Sequence, residues 1–226
     1  MKPYIFLLIL FPSLAFAQTD VMHRYPKNHE QIPTWGANRA HYIQGIFGVG
    51  FYTPISVDNP DFKTGRSYEI NFGAIYRYRI ANSFNVGTAL SLTAQSIALN
   101  KIGMVKSWDN AIHSKANLSN TLLTLKPFFR FNLSPKRGDY LGSFIDVGAF
   151  GSWNFYPTAM FTDKRNGERY VQMYQQDKQQ ERFQYGCFAS VGRDWFRLEA
   201  SYHLTNILKD SSFEMPRYAM AVVFGF

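Results

Sequence analysis

The chain has 226 residues, one cysteine, a formal net charge of +8 and 17% aromatic side chains. That length suits one domain with room for a sizeable core, and the lone Cys187 excludes an internal disulfide or a thiolate metal site. A mean hydropathy of −0.23, with no long apolar run after residue 17, excludes a helical membrane protein. The basic residues are scattered along the chain, which argues against nucleic acid and points toward anionic lipid headgroups.

The chain opens MKPYIFLLILFPSLAFAQ. Lys2 supplies a positive first region, Tyr4 to Leu14 an apolar one, and Ala15-Phe16-Ala17 a small-x-small cleavage site. The apolar run is too short for a stable spanning helix, so residues 1–17 are predicted to be a signal peptide removed on export. Gln18 follows where a lipoprotein would carry cysteine, so no lipid anchor is expected. Residues 18–40 show no period and carry Pro26 and Pro33; they are predicted to be a periplasmic extension. His23 and His29 stand there without further ligands, and no metal is expected.

From His41 the pattern changes to strict alternation. A first strand, His41 to Tyr52, sets Ile43, Phe47, Val49 and Phe51 against Gln44, Gly48 and Gly50. The second, YEINFGAIYRYRI at 68–80, places apolar or aromatic residues at every even position, with Glu69, Asn71, Arg77 and Arg79 on the odd face. Such a period of two means an extended strand with unlike faces. The third, from Phe84 to Gln95, opposes Val86, Leu90 and Leu92 to Asn85, Ser91 and Gln95. The fourth opposes Leu123, Leu125, Phe129 and Phe131 to Thr124, Lys126 and Arg130, and its Pro127 predicts a local bulge. In the fifth Ile145, Val147 and Trp153 oppose Asp146, Ser152 and Asn154. In the sixth Phe183, Tyr185, Cys187 and Val191 oppose Gln184 and Ser190. The seventh sets Phe196, Leu198 and Tyr202 against Arg197, Glu199, Ser201 and His203. The eighth sets Tyr218, Met220, Val222, Phe224 and Phe226 against Arg217, Ala219 and Ala221.

The connections alternate in length. Ala81–Ser83, Ser134–Asp139 and Arg193–Trp195 are short; Thr53–Ser67, Lys101–Asn120, Pro157–Arg182 and Thr205–Met215 are long. This predicts an all-β fold over residues 41–226: an eight-stranded antiparallel up-and-down transmembrane barrel with short periplasmic turns and long extracellular loops. The apolar faces then meet lipid, and Glu69, Arg77, Arg79, Lys126, Arg130, Asp146, Arg197, Glu199 and Arg217 project into the lumen as one charge network. A charge on the lipid face near the midplane would cost about 2–4 kcal/mol, which accounts for their shared parity. Aromatics gather at both strand ends: Phe84, Phe131, Tyr140, Trp195, Phe196 and Phe226 at the periplasmic side, and Phe51, Tyr68, Trp153, Tyr156, Phe183 and Tyr202 at the outer side.

The final stretch EMPRYAMAVVFGF resembles the carboxy-terminal signal recognised by the barrel assembly machinery, carried by Tyr218, Met220, Val222, Phe224 and Phe226. With the signal peptide, the chain resembles small OmpA/OmpX-type outer-membrane barrels. More narrowly, TLLTLKPFFRFN, SFIDVGAFGSWNF and WFRLEASYHLTNIL followed by MPRY resemble the outer-membrane β-barrel domain common in Bacteroidota, to which PorT-like proteins belong. That resemblance implies a bacterial outer-membrane location and, for PorT-like members, an association with type IX secretion. It leaves the task of this chain open.

An eight-stranded lumen is just wide enough to be filled by side chains, so a salt-bridged plug is expected in preference to a narrow anion path. His203-Leu204-Thr205-Asn206 resembles the His-x-Ser-Asn element of outer-membrane lipid A deacylases but has threonine at the nucleophile, and parity turns His203 into the lumen. No catalytic residue and no cofactor are therefore expected. The loops are the remaining candidates for contact, through Trp108, Tyr170 and Tyr174, and MFTDKRNGERYVQMY reads as a hairpin above the membrane turning at Asn166-Gly167. Expected partners are outer-membrane lipid and lipopolysaccharide, the assembly machinery during insertion, and another envelope protein.

Overall fold

A computed structural model describes residues 34–53, 64–102, 113–134, 141–165, 168–175, 178–209 and 216–226. The chain divides into two units, Met1–Ile32 and Pro33–Phe226, and all the described residues belong to the second. The predicted signal peptide, most of the predicted extension, Trp108, Tyr140 and Asn166-Gly167 lie outside the described residues.

Alternation produces the expected strands: β1 (His41–Thr53), β2 (Tyr68–Arg79), β3 (Phe84–Ile102), β4 (His113–Asn132), β5 (Ser143–Arg165), β6 (Glu168–Gln175), β7 (Phe183–Arg193), β8 (Phe196–His203) and β9 (Tyr218–Gly225). Every pairing is antiparallel. The sheet runs β4-β3-β2-β1-β9-β8-β7-β5, and β4 pairs with β5 to close it. Eight strands thus form the barrel, and β6 is a ninth, paired to the upper part of β5 alone among the described strands. Closure leaves no sheet edge along the wall, as hydrocarbon surroundings require. The first and last strands meet from Ile46↔Gly225 to Thr53↔Tyr218, and Gly45 and Phe226 exchange backbone hydrogen bonds of 3.0 Å.

The short connections sit at one end. Ala81 N–H donates to Phe84 O at 2.9 Å in the β2–β3 turn. Between β7 and β8, Asp194 adopts a left-handed conformation (φ 53°) and its carboxylate accepts from the Gly142 amide at 3.1 Å. Gly142 itself has φ 67°, and a Cβ there would lie 2.2 Å from Ser134 O, so only glycine fits that turn. Residues 34–40 are fastened beneath the same end. Arg79 donates to the carbonyl of Asn38, Arg77 donates to that of Ala37 at 3.4 Å, and the Trp35 ring stacks on His41 at 5.0 Å.

Two predictions are corrected. The β3–β4 ladder runs through Thr88↔Pro127, and the β4–β5 register is the same on either side of the proline, at Leu125↔Gly151 and Phe128↔Gly148. Pro127 therefore carries no bulge. The register shift falls instead at Thr121/Leu122, where Thr121 faces Tyr156 and Leu122 faces Asn154, leaving Phe155 as the extra residue. Secondly, much of the predicted loop 101–120 is strand, whereas within 157–182 β5 and β6 form the expected hairpin, with Arg165 paired to Glu168. β3, β4 and β5 continue past the barrel wall, and with β6 they form an antiparallel sheet standing above its long-loop end.

The exterior is apolar. Phe47, Phe72, Leu90, Leu92, Leu125, Phe129, Val147, Leu198 and Met220 are all exposed, whereas Glu69, Asn71, Thr93, Arg130, Asp146, Glu199 and Ser201 are buried. Water would not tolerate such a surface; hydrocarbon would. Rings cluster at both ends of this band. Phe84 packs on Phe131 at 5.4 Å and Trp195 on Phe224 at 5.7 Å near the short turns, and Tyr202 on Tyr218 at 4.9 Å near the long loops. The distribution is that of a transmembrane barrel with aromatic girdles.

Candidate functional site

The lumen is built from the inward residues of each strand. Arg130 on β4 and Asp146 on β5 are direct cross-strand partners, and the guanidinium holds both carboxylate oxygens, at 2.6 and 2.7 Å. This two-point geometry is the strongest that an arginine and a carboxylate can make. The Arg130 guanidinium also lies 3.5 Å over the Phe144 ring. Arg197 on β8 reaches Asp146 and Glu199 at 3.8 Å each, and Lys126 on β4 reaches Glu199 at 2.5 Å. The result is an alternating chain Arg130–Asp146–Arg197–Glu199–Lys126. Because β4 and β8 are not neighbours in the sheet, the Lys126–Glu199 pair is a strut across the barrel.

A second polar group lies toward the long-loop end. Tyr52 donates to Glu69 at 2.9 Å and accepts from Gln95 at 2.5 Å, and Asn120 donates to Gln95 Oε1 at 2.8 Å. Thr93, Thr124 and Ser152 form a hydroxyl row with contacts of 3.3 and 2.9 Å. Alongside the ion-pair chain, Ile46, Ile75, Ala89, Phe128, Phe150, Phe188, Ala221 and Val223 help to fill the bore, with Ala89, Ala221 and Val223 cross-strand to Lys126, Glu199 and Arg197. The cavity left beside Lys126, Gln184 and His203 measures about 20 Å³, roughly the room one water needs.

The nine residues assigned to the lumenal network are placed unequally. Arg130, Asp146, Arg197, Glu199 and Lys126 form the chain just described, and Glu69 belongs to the tyrosine–glutamine group. Arg77 is buried but stacks on Tyr42, its guanidinium 4.5 Å from the ring. Arg79 lies at the rim, bonded to Asn38 and Asn82. Arg217 is half-buried just before β9 at the opposite rim. These last two mark the ends of the lumen, and Arg79 is held there by asparagines of the short-turn end.

Sequence reasoning missed the upper closure. Above the polar layers Tyr52, Ile97, Leu99, Leu118, Phe161, Ile207, Leu208 and Ala219 form an apolar cluster, and Tyr174 packs against it. Ile207 and Leu208 come from the connection after β8, which folds inward and pairs Leu208 with Gln180. Tyr174, assigned to surface contact, is therefore turned inward against Phe161 at 5.7 Å. Tyr170 stays exposed, its hydroxyl donating to Glu168 at 2.9 Å, beside exposed Val171 and Met173.

The histidine and the threonine of the deacylase-like element hold different partners. His203 is buried, its ring 4.9 Å from Phe150 and 5.6 Å from Tyr52. The Thr205 hydroxyl accepts from the Tyr185 amide at 3.1 Å, outside β8. Among the described residues no group of three or more His, Cys, Asp or Glu could hold a metal ion. Cys187 is exposed on the apolar face. Of the five residues assigned to the assembly signal, Tyr218, Met220, Phe224 and Phe226 are exposed and Val222 is half-buried.

The ion-paired strut, the apolar side chains packed beside it and the apolar cap fill much of the interior formed by the described residues. Expected in planar bilayers is the absence of steady single-channel conductance at physiological salt. Regular open levels would show that the interior is not sealed.

Fold and interior together define the class: an eight-stranded outer-membrane-type β-barrel, apolar outside and polar within. No family model and no curated protein matches the chain. Among solved structures it is similar to Ail, the attachment invasion locus protein of Yersinia pestis, in complex with the heparin analogue sucrose octasulfate. The identity is 11%, the match covers 81% of this chain and 94% of that one, and the TM-score is 0.32.

Proposed function

We propose that this chain is a noncatalytic barrel of the bacterial outer membrane that acts through the sheet above its long-loop end, as an interaction or scaffold protein for another envelope component. The observation that carries the reading is the contrast between a filled lumen and an ordered projection. The interior is committed to holding the barrel together, while β6 presents an edge that pairs with no described strand, with Tyr170, Val171 and Met173 exposed along it. An edge strand of this kind offers unused amides and carbonyls to an incoming strand and side-chain contacts beside them. The signal-peptide pattern and the resemblance of the last strand to an assembly signal support export, passage through the assembly machinery and residence among lipopolysaccharide. The resemblance of the fourth, fifth and seventh predicted strands to the PorT-like domain makes secretion machinery the first complex to look for.

The test is a pull-down from native membranes solubilised in mild detergent. The wild-type chain is expected to retain a stoichiometric envelope protein, and Val171→Pro, which removes one edge amide without touching the wall, is expected to reduce that retention at least tenfold. Equal recovery from both would refute the edge as the contact. Recovery of nothing from wild type would refute the scaffold reading itself. Lipid A of unchanged acylation in cells with and without the protein is the accompanying expectation, and an altered pattern would favour the enzyme.

A further inference from the structure

On the outer face of the upper sheet lies a cleft of about 400 Å³. Three cations from separate parts of the chain line it: Arg66 from the short helical turn Thr64–Arg66 before β2, Lys115 from β4 and Arg169 from β6. Among the described residues no carboxylate lines it, and Ser96, Asn117 and Thr162 supply the neutral polar groups. All three cations are exposed, and among the described residues none has an ion-pair partner. The concentration is built by the fold. The Ala98 amide donates to Ser67 Oγ at 3.1 Å, which holds the segment bearing Arg66 against β3. The β5–β6 pairing sets Arg169 beside the upper end of β5. Asn117 is oriented by Ser96, whose hydroxyl donates to Asn117 Oδ1 at 3.1 Å.

Height decides what such a cleft meets. Its lower lip is the row Tyr68↔Ser96, and Tyr68 belongs to the aromatic girdle at the long-loop end. Lys115 pairs with Asn100, four residues above Ser96, which is roughly 13 Å along a strand and less after tilt. The interfacial layer outside the hydrocarbon is about 5–8 Å thick on each side. The cations therefore start at the headgroup level, with Arg66 two residues from Tyr68, and rise beyond it, with Arg169 opposite Lys164, two residues above the Thr162↔Lys115 pair. A bare ion would not fill this volume, which is within the range of small-molecule sites, roughly 300–1,000 Å³.

We propose that the cleft binds the phosphorylated saccharide headgroup of a glycolipid in the leaflet from which the long loops emerge. The inference rests on the transmembrane reading of the barrel, and it takes Arg169 from the face of β6 where the proposed protein contact takes the edge of that strand. Two or three cations closing on one phosphorylated sugar give charge-assisted hydrogen bonds at short range, and the neighbouring apolar wall leaves room for its acyl chains alongside.

The experiment uses the full chain, folded in detergent and assembled into phosphatidylcholine nanodiscs with or without lipid A, a bis-phosphorylated glucosamine lipid. Native mass spectrometry reads the lipid retained after release. Wild type is expected to keep one lipid A at least tenfold more often than its dephosphorylated form. Arg66→Gln/Lys115→Gln/Arg169→Gln is expected to lose that preference, and Lys209→Gln, a cation at the same end but outside the cleft, to keep it. Equal retention by wild type and the triple variant, or equal loss in the Lys209 variant, would overturn the assignment. So would a soluble phosphorylated sugar that displaced lipid A at equimolar amounts, since the source would then not be the membrane. Heat-modifiable gel migration separates the failures: a variant that still shifts on boiling is a folded barrel, and its lipid result bears on the cleft alone.

Discussion

Replacing Asp146 by alanine is expected to destabilise the folded barrel by about 3–5 kcal/mol, the cost of stranding a buried partner charge. Asp146 is fully buried and accepts from Arg130 at 2.6 and 2.7 Å and from Ser190 at 3.4 Å, with Arg197 at 3.8 Å. Removing it leaves Arg130, which is 2% exposed, without a carboxylate, and leaves Arg197 leaning on Glu199 alone. The direct contribution of the pair is smaller than this loss, because both ions gave up hydration to enter the lumen. The paired change Arg130→Met/Asp146→Leu is therefore expected to recover most of the stability. Urea unfolding of barrels in lipid vesicles, followed by tryptophan fluorescence and gel mobility, gives the three numbers. A single variant within about 1 kcal/mol of wild type would remove Asp146 from the centre of the lumenal network.

Why was so much of the wall legible and the upper closure not? Within the membrane each strand meets two unlike surroundings, lipid outside and a narrow polar bore inside, so the period of two is written in chemistry. YEINFGAIYRYRI shows it, with Glu69, Asn71 and Arg77 buried and Ile70, Phe72 and Tyr76 exposed. Above the girdle the same strands leave lipid, and the code inverts. In β3, Ile97 and Leu99 face in while Ser96 and Ala98 face out; in β4, Ala116 and Leu118 face in while Asn117 and Ser119 face out. The parity is unchanged but its chemical meaning has reversed, so a reading that follows oily faces loses the strand and finds a loop. In β5 the extra residue Phe155 also shifts the parity itself. Odd positions such as Trp153 point outward below it, and odd positions such as Ala159 and Phe161 point inward above it. The contribution of Ile207 and Leu208 to the cap was hidden for another reason: they lie outside any strand, where no period exists to betray burial.

The same reversal separates the two candidate functions. Ion pairs in the bore join one strand to another, Lys126 on β4 to Glu199 on β8 and Arg130 on β4 to Asp146 on the adjacent β5, and their place is fixed by the need to fill a cylinder of eight strands. Cations in the cleft join no carboxylate among the described residues. Charge that is buried and matched serves the fold, and charge that is exposed, convergent and unmatched is available to a ligand.

Replacing Leu90 by arginine is expected to cost about 2–4 kcal/mol of barrel stability, while the same change at Ser96 costs about 0–1 kcal/mol. Both residues lie on the outward face of β3. Leu90 pairs with Ala74 and Leu125 in the middle of the apolar band and is 52% exposed. Ser96 pairs with Tyr68 at the girdle, six residues further along, or roughly 20 Å before tilt. A soluble barrel would show no such gradient, because an exposed arginine in water costs little wherever it stands. It would show the opposite preference for the wild-type residue, since removing an exposed leucine from water relieves an unfavourable contact. The depth dependence thus measures the solvent and not the side chain. Equilibrium unfolding in vesicles reads both variants against wild type, and a spin label at Leu90 reads the surroundings directly, by its accessibility to oxygen over a water-soluble nickel chelate. Equal costs at the two positions, or a label at Leu90 quenched by the chelate, would mean that water bathes the band now assigned to lipid.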